Sequence, residues 1–485
     1  MASVNVAAWE DDPGDPNLQP PLQPISFLPP PDNTPPLPFK IKGSQPKPQV
    51  YKTGTPEFRY WAAAVALRRT ADFWSTIVPA RTSWQVGRML AVDLDSGDDL
   101  NAFYTRGGGG DAPGLHFFHE MVKERTFFSG ESPDVVCHEM GHAVLDALRP
   151  ELFNAQFIEA AAFHESFGDM SALLSALQVP SFRQAVLTET SNRLNRASRL
   201  SRLAEQLGAA IRLNHPDAVD PDCLRNAANS FFYKDPQSLP PSAPASQLSS
   251  EPHSFSRVFT GAFLEALAGV FSLQGASSPD TLLAASSAMG QLLVTGILAA
   301  PAVPEFFSQV AAHIVDSGEA APFNGKYRDI LKSAFIKKGI LSLEATSTLA
   351  SGRKRTRKRL GLLAPIASFT AAGGELHVAS ITARQFGLTQ ATLNVHAAPQ
   401  PKVFGVTASS LEAGPLAPPS AQTAAEIYTA DIFKRGHVDV GDYIDPNVGV
   451  AHASSFKTHR IVERNGELLL VRTTFNCGFG EQRLR

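Results

Sequence analysis

The sequence predicts an α+β protein with a mixed N-terminal lobe, a helical second lobe and a small β-rich C-terminal domain. Short strand-like stretches lie between residues 86 and 118, whereas apolar residues recur mostly at helical spacing from residue 133 to residue 339. Near the C-terminus, Asn465-Gly466 stands between two apolar stretches, which is typical of a β-hairpin. Together these patterns indicate a two-lobed core followed by a separate sheet.

Composition limits the class of protein. The chain has 485 residues, 43% hydrophobic and 18% charged, with a formal net charge of −3, so it can form two or three domains and shows no bias toward nucleic acid or anionic membranes. Its three cysteines are odd in number and far apart, which argues against a disulfide-stapled secreted protein. No secretory signal or membrane span is visible, so we expect a cytoplasmic protein without a membrane partner.

We expect four segments, namely a proline-rich extended arm (1–54), the main domain (55–345), a basic linker (346–365) and a β-rich domain of unknown role (366–485). The arm would be either flexible or laid across a groove of its own protein. Folded structure is expected from Thr55 and Pro56, which suit the start of a helix over 58–76.

Within the main domain the predicted strands are 86–92, 101–104 and 115–118. The predicted helices are 133–148, 154–177, 181–210, 256–273, 280–298, 304–315 and 326–339. The basic run at 353–359 could bind nucleic acid or an anionic surface. A solvated linker is the simpler interpretation, because no aromatic residues interleave the charges, so no nucleic-acid partner is expected.

One predicted helix carries a metal-binding pattern. It opens with Ser-Pro-Asp at 132–134, a favourable capping sequence. His138 and His142 are four residues apart and therefore lie on one helix face, where both imidazoles can bind one Zn²⁺. Glu139 can reach a metal-bound water without binding the metal itself. The pattern predicts a zinc site.

The next helix can complete this site. Glu165 and Asp169 share a face of that helix, four residues apart. Glu165 would be the third ligand and would leave the fourth position for water, as in catalytic zinc sites. Asp169 would accept a hydrogen bond from the second ring nitrogen of a ligating histidine.

Through these motifs the chain resembles the thermolysin-like peptidases of the gluzincin group, over roughly residues 58–342. The stretch DVVCHEMGHAVLD is similar to the family's zinc helix, and HESFGD is similar to its third-ligand motif. The resemblance implies a two-lobed metallopeptidase fold in which Asp169 supports His138.

Two further motifs imply substrate-binding residues. The stretch NAFY at 101–104 resembles the family's edge strand, which implies that Asn101 binds an extended substrate through its side chain and Ala102 through its carbonyl. Leu224-Arg225 resembles a Leu-Arg pair whose arginine holds a substrate carbonyl, and His253 resembles the histidine that stabilises the oxyanion.

The resemblance also implies an apolar pocket for the residue after the scissile bond, lined by Phe127, Val135 and Leu224. These three could equally be core residues. The expected function is zinc-dependent hydrolysis of peptides or proteins by a metal-activated water, with Glu139 as general base and His253 as oxyanion donor. We expect an endopeptidase with an apolar preference after the scissile bond.

Departures from the family keep other functions open. The interval from His142 to Glu165 lacks the tyrosine that serves the family as a second oxyanion donor. The acids that would follow Glu165 in the family's calcium cluster are missing, so structural Ca²⁺ is not expected. A catalytically impaired pseudo-peptidase acting as a binding protein is the main alternative. An aminopeptidase is weaker, since no G-x-M-E-N-like segment is present to hold a free amine. The sequence does not indicate the oligomeric state.

Overall fold

The computed structural model describes residues 4–17, 22–31, 36–108, 110–342, 376–399, 420–445 and 456–476. The basic run 353–359, the linker 346–365 and Cys477 lie outside this part of the chain. The described residues form a mixed helix-and-sheet protein with several small sheets, compatible with the predicted α+β class.

The helices of the described residues are α1 (Pro56–Ser75), α2 (Pro133–Leu148), α3 (Glu151–Asn154), α4 (Ile158–Ala176), α5 (Pro180–Thr190), α6 (Glu205–Arg212), α7 (Pro252–Ser272), α8 (Pro279–Ala299), α9 (Phe306–Ser317), α10 (Arg328–Lys337) and α11 (Ala421–Lys434). The strands are β1 (Val6–Ala8), β2 (Ile25–Phe27), β3 (Phe39–Ile41), β4 (Leu90–Asp93), β5 (Ala102–Thr105), β6 (Gly114–Phe117), β7 (His119–Val122), β8 (Arg125–Phe128), β9 (Arg202–Leu203), β10 (Arg225–Asn226), β11 (His377–Thr382), β12 (Thr392–Ala397), β13 (Val438–Asp439), β14 (His459–Arg464), β15 (Glu467–Arg472) and β16 (Thr474–Asn476).

Helices α1 and α2 begin where the sequence predicts. The side chain of Thr55 accepts a hydrogen bond from the backbone N–H of Phe58, and that of Ser132 accepts one from Val135. A proline follows each capping residue, at the one helical position where its missing N–H costs nothing. Helix α2 ends at Leu148, the predicted last residue.

The N-terminal segment is packed onto the folded unit. Trp9 lies edge-on to Phe58 of α1, with ring centroids 5.6 Å apart, and Ala8 is buried beside them. Strand β3 pairs in parallel with β4, so Phe39–Ile41 joins the main sheet before the expected folding boundary at residue 55. The segment is extended, as its prolines predict, and the structure favours the packed alternative.

The main sheet contains β5, the strand that packs against α2. Its order is β16-β5-β6-β4-β3, with β5 antiparallel to both of its neighbours. Helix α2 packs against β5, and α4 packs against α2. Helix α2 therefore lies between this sheet and the helical lobe.

The prediction of one continuous helix over 181–210 is wrong, because only its two ends are helical, in α5 and α6. Helix α5 ends at Thr190, and the chain then turns through Ser191 and Asn192, whose φ angles of 51° and 64° are left-handed. Leu194 and Leu200 are buried from a loop, before β9 and α6. Apolar spacing alone did not distinguish these buried loop residues from a helix face.

The helical lobe consists of α4 and α7 to α10, in which α7 packs against α4, α8 and α10, and α9 packs against α8. Helix α8 is the one helix of the described residues that is long and apolar enough to cross a membrane by length and composition, and 61% of its most apolar window is buried inside the protein. Buried core helices pass the same test, so this is weak evidence for a membrane span.

The C-terminal sheet has the order β11-β12-β15-β14-β13, with α11 packed on β12. The predicted hairpin is confirmed, because Asn465 and Gly466 join β14 to β15 with φ angles of 53° and 82°. Strand β16 leaves this sheet and pairs with β5 instead. The last described strand of the predicted C-terminal domain thus belongs to the main sheet.

Candidate metal centre

Helices α2 and α4 cross closely because both carry a glycine at the contact. A Cβ added to Gly168 would lie 2.6 Å from the ring of His138, and one added to Gly141 would lie 2.8 Å from the Cβ of Ser171. Such distances are too short for real side chains. The hydroxyl of Ser171 also donates to the carbonyl of Cys137 at 3.0 Å, which fixes the crossing.

This crossing brings the three predicted ligands together. The Nε2 atoms of His138 and His142 are 3.2 Å apart, and they lie 3.5 and 3.7 Å from the carboxylate oxygens of Glu165. All three residues are buried. A tetrahedral ion with bonds of about 2.0–2.1 Å has ligand atoms about 3.3–3.4 Å apart. The three side chains therefore fit a metal ion.

Asp169 contacts His138, the first of the three predicted ligands. The Nδ1 atom of His138 lies 3.0 Å from Asp169 Oδ1, which leaves Nε2 facing the other ligands. Arg225 Nη2 donates to the same carboxylate at 2.8 Å. Burial would raise the pKa of Asp169, but the charges of Arg225 and His138 outweigh it and hold the pKa below its usual value. Asp169 is thus an anion suited to accept from His138.

The protonation states suit a cation site. Burial, followed by the charges of His138 and His253, holds the pKa of His142 well below its usual value, so its lone pair is available. Burial would raise the pKa of Glu165, but the charges of His253 and His138 have the larger effect and hold this pKa below its usual value. Glu165 is therefore ionised. Burial would lower the pKa of His138, yet hydrogen bonds with Asp169 and Glu165 raise it to about 9. A metal and a proton would compete for His138.

His253 reaches the site from the start of α7. Its Nε2 atom is 3.3 Å from Glu165 Oε2, and its Nδ1 donates to Glu251 at 2.6 Å. Burial would lower the pKa of His253, but the charges of Glu165 and Glu251 raise it to about 10. The ring therefore places a cationic N–H beside the third ligand.

Glu139 and the predicted arginine line one cavity beside the ligands. This cavity is also lined by His138, and its apolar wall includes the predicted pocket residues Val135 and Leu224. Arg225 borders it from β10. Glu139 is fully buried at the edge of this cavity.

The other predicted substrate residues lie nearby but apart from this cavity. Phe127 and Asn101 line a neighbouring cavity, which shares Leu207 with the first. The Asn101 side chain is buried and donates to Asp99 at 3.2 Å. Ala102 begins β5 and pairs with Phe117. The three expected pocket residues thus divide between two cavities.

Sequence reasoning missed several residues that shape the site. Glu251 caps α7 and orients His253, a role that its position two residues upstream could have suggested. Leu203 and Leu207 contribute to the cavity from β9 and α6, inside the stretch predicted as one long helix. Phe475 stacks on His142 with ring centroids 5.2 Å apart. No local pattern links Phe475 to residues more than 300 positions earlier.

Tyr104 and Tyr233 do not take the place of the missing tyrosine. The hydroxyl of Tyr104 donates to Asp146, and that of Tyr233 donates to Glu159. Both acceptors are buried carboxyl groups outside the ligand set. His253 is the donor that the structure brings to Glu165.

No known family model and no curated protein matches this chain.

Asp169→Asn should weaken metal binding. The amide keeps the size of the side chain but removes the negative charge that supports His138, so we expect the metal Kd to rise about 10–100-fold. Competition with a chromophoric chelator measures this change. Glu159→Gln is the matched control on the same helix, because Glu159 accepts from Tyr233 and Phe307, away from the ligands. An unchanged Kd for Asp169→Asn would contradict the assignment.

Proposed function

We propose that the chain is a zinc-dependent peptidase of the thermolysin-like type, an endopeptidase that prefers an apolar residue after the scissile bond. The observation that supports this most is the convergence of three kinds of group. The His138–His142–Glu165 set fits a metal, Glu139 borders the same cavity, and His253 presents a cationic N–H 3.3 Å from Glu165. Hydrolysis of an amide uses all three.

In this proposal each residue of the site has a separate role in amide hydrolysis. A bound Zn²⁺ supplies Lewis-acid polarisation of the carbonyl and of the attacking water. Glu139 accepts the proton of that water and passes it to the leaving amine. His253 donates to the carbonyl oxygen as negative charge develops on it, and Glu251 keeps the ring oriented for this.

The remaining residues would bind and orient the peptide. Arg225 is held by Asp169 at the border of the cavity, where a guanidinium group suits the carbonyl of the next residue. The cavity wall is apolar at Val135, Leu203 and Leu224. Burying an apolar side chain there would contribute about 1.5–3 kcal/mol, which is the basis for the expected preference.

The pseudo-peptidase alternative is less well supported by the same geometry. A protein that only binds peptides would have no use for a carboxylate at the position of Glu139, which is fully buried. Burying an ionisable group costs free energy, so a functional use is the better explanation.

Metal removal tests the proposed function. Purified protein should cleave a peptide library near neutral pH, with leucine- or phenylalanine-like residues enriched after the cut. Dialysis against a chelator should abolish cleavage, and one equivalent of zinc should restore it. A zinc-loaded, folded protein that cleaves no member of the library, at any position, would favour the pseudo-peptidase.

His253→Ala should reduce kcat/KM about 10²–10³-fold while leaving the metal in place. The loss is at the upper end for a single donor, because no tyrosine shares the oxyanion. Peptide kinetics and metal analysis on the same sample measure the two effects. His119→Ala is the control, since His119 lies on β7 and its ring contacts Asp95 and Asp98, which are outside the proposed ligand set. Equal activity of both variants would exclude the assigned role.

A further inference from the structure

Strand β16 pairs with β5, the strand that the resemblance to thermolysin-like peptidases implies would bind an extended substrate. It pairs antiparallel with β5, with Phe475 opposite Tyr104 and Asn476 opposite Phe103. Without β16, β5 would be the edge of the main sheet, and an exposed edge strand binds extended peptides through its backbone.

Strand β16 also contacts residues of the proposed catalytic site directly. His253 Nε2 donates to the backbone carbonyl of Asn476 at 2.7 Å. The ring of Phe475 stacks on His142 and on His164, with centroids 5.2 and 3.9 Å away. The carbonyl of Asn476 therefore already accepts the hydrogen bond that His253 would donate to a substrate carbonyl in the proposed mechanism.

We propose that β16 is an internal, substrate-like occupant of the cleft, and that it must leave β5 before another peptide can bind. The identity of the competing ligand, a peptide, rests on the proposed function. The occupancy itself rests on the backbone pairing, on the contact between His253 and Asn476, and on the ring of Phe475 over His142.

Several contacts hold the strand in this position. The hydroxyl of Thr105 donates to the carbonyl of Thr473 at 2.7 Å, and that of Thr474 donates to the carbonyl of Tyr104 at 3.0 Å. The Arg472 guanidinium lies 4.3 Å from the ring centroid of Phe475. The side chains of β16 are buried. The resting protein is therefore the closed form.

Closure has a measurable consequence. If only a fraction of molecules has β16 detached, the apparent Kd of a peptide is the intrinsic Kd divided by that fraction. A substitution that weakens the attachment of β16 to β5, without altering the proposed metal ligands, should tighten peptide binding. A cross-link that holds β16 on β5 should weaken peptide binding.

Two variants should change the fraction of molecules with β16 detached from β5, in opposite directions. Phe475→Ala removes the ring that packs on His142 and His164, so the open fraction should rise. Thr105→Cys/Thr474→Cys places two cysteines at directly opposed positions of the antiparallel pair, close enough for a disulfide. The double variant is made with Cys477→Ser, which removes the native thiol nearest in sequence to position 474; Cys137 and Cys223 are buried. Phe386→Ala is the control for lost aromatic packing, since Phe386 stacks on Phe433 in the C-terminal sheet domain.

The probe is a dansylated leucyl dipeptide hydroxamate, titrated by fluorescence against zinc-loaded protein. We expect Phe475→Ala to bind it at least tenfold more tightly than wild type, and Phe386→Ala to match wild type. The oxidised double-cysteine protein should bind at least tenfold more weakly than the same protein after reduction with a phosphine. Peptide cleavage, measured in parallel, should follow the same order.

The two readouts separate this inference from the proposed function. Binding that changes as expected, without peptide cleavage by any variant, would support the occupancy and reject the peptidase. Cleavage by wild type with equal probe affinity in all four proteins would support the peptidase and overturn the occupancy. Equal affinity of the oxidised and reduced double variant is the most direct contradiction, because both states share one sequence.

Discussion

His138→Ala should leave the purified protein without a stoichiometric metal ion. The substitution removes one corner of a ligand set whose nitrogen and oxygen atoms lie 3.2–3.7 Å apart, and two ligands hold zinc far less tightly than three. It also leaves the carboxylates of Glu165 and Asp169 buried without the imidazole that both contact. Elemental analysis should find well below one equivalent, against about one in wild type.

The loss should also appear as lost stabilisation by zinc. At free zinc about 1,000-fold above Kd, binding to the native state adds about 4 kcal/mol of stability. Wild type should therefore show a clear rise in Tm with zinc, and His138→Ala should show almost none. His119→Ala, which removes an imidazole from strand β7, should behave as wild type. A full equivalent of metal retained by His138→Ala would exclude the ligand assignment.

The ligand set could be predicted from sequence because its geometry is local. Residues four apart on a helix share a face in any protein, so His138 with His142 and Glu165 with Asp169 needed only two correct helices. Capping residues fixed the start of α2 within the sequence itself. That the two helices meet was expected because Glu165 could complete a His₂Glu set, and the resemblance implied the same arrangement. In physical terms it depends on Gly141 and Gly168, whose missing Cβ atoms permit the close crossing.

The remainder of the site depends on contacts that no local pattern encodes. Strand β16 pairs with β5 across more than 300 residues, and its three-residue length carries no periodicity. Leu203 and Leu207 lie in a stretch predicted as one continuous helix, although the chain turns at Ser191 and places Leu203 on β9 and Leu207 on α6. Packing of the N-terminal segment against α1 likewise depends on tertiary contacts, which the proline content of the segment does not predict.

Glu139→Gln should bind zinc as wild type does and yet lose about 10²–10⁴-fold in kcat. The amide has the shape of the carboxyl group but cannot accept a proton, whereas His138, His142 and Glu165 are untouched. Affinity for the hydroxamate probe should change far less than kcat, because glutamine keeps the size of the Glu139 side chain and the other residues of the cavity wall are unaltered. Metal content, probe titration and peptide turnover on one preparation separate these effects.

Glu131→Gln is the matched control for this last prediction. Glu131 is also a buried acid, and burial raises its pKa to about 7 despite the charge of Arg59. Glu131 lies two residues before the start of α2 but does not line the cavity beside His138. If removing a buried carboxylate merely loosened α2, both variants would lose activity and zinc affinity together. If Glu139 is the general base, only Glu139→Gln loses turnover, and it does so with its metal still bound. Full turnover by Glu139→Gln would exclude it from proton transfer, and the reaction would then need another base.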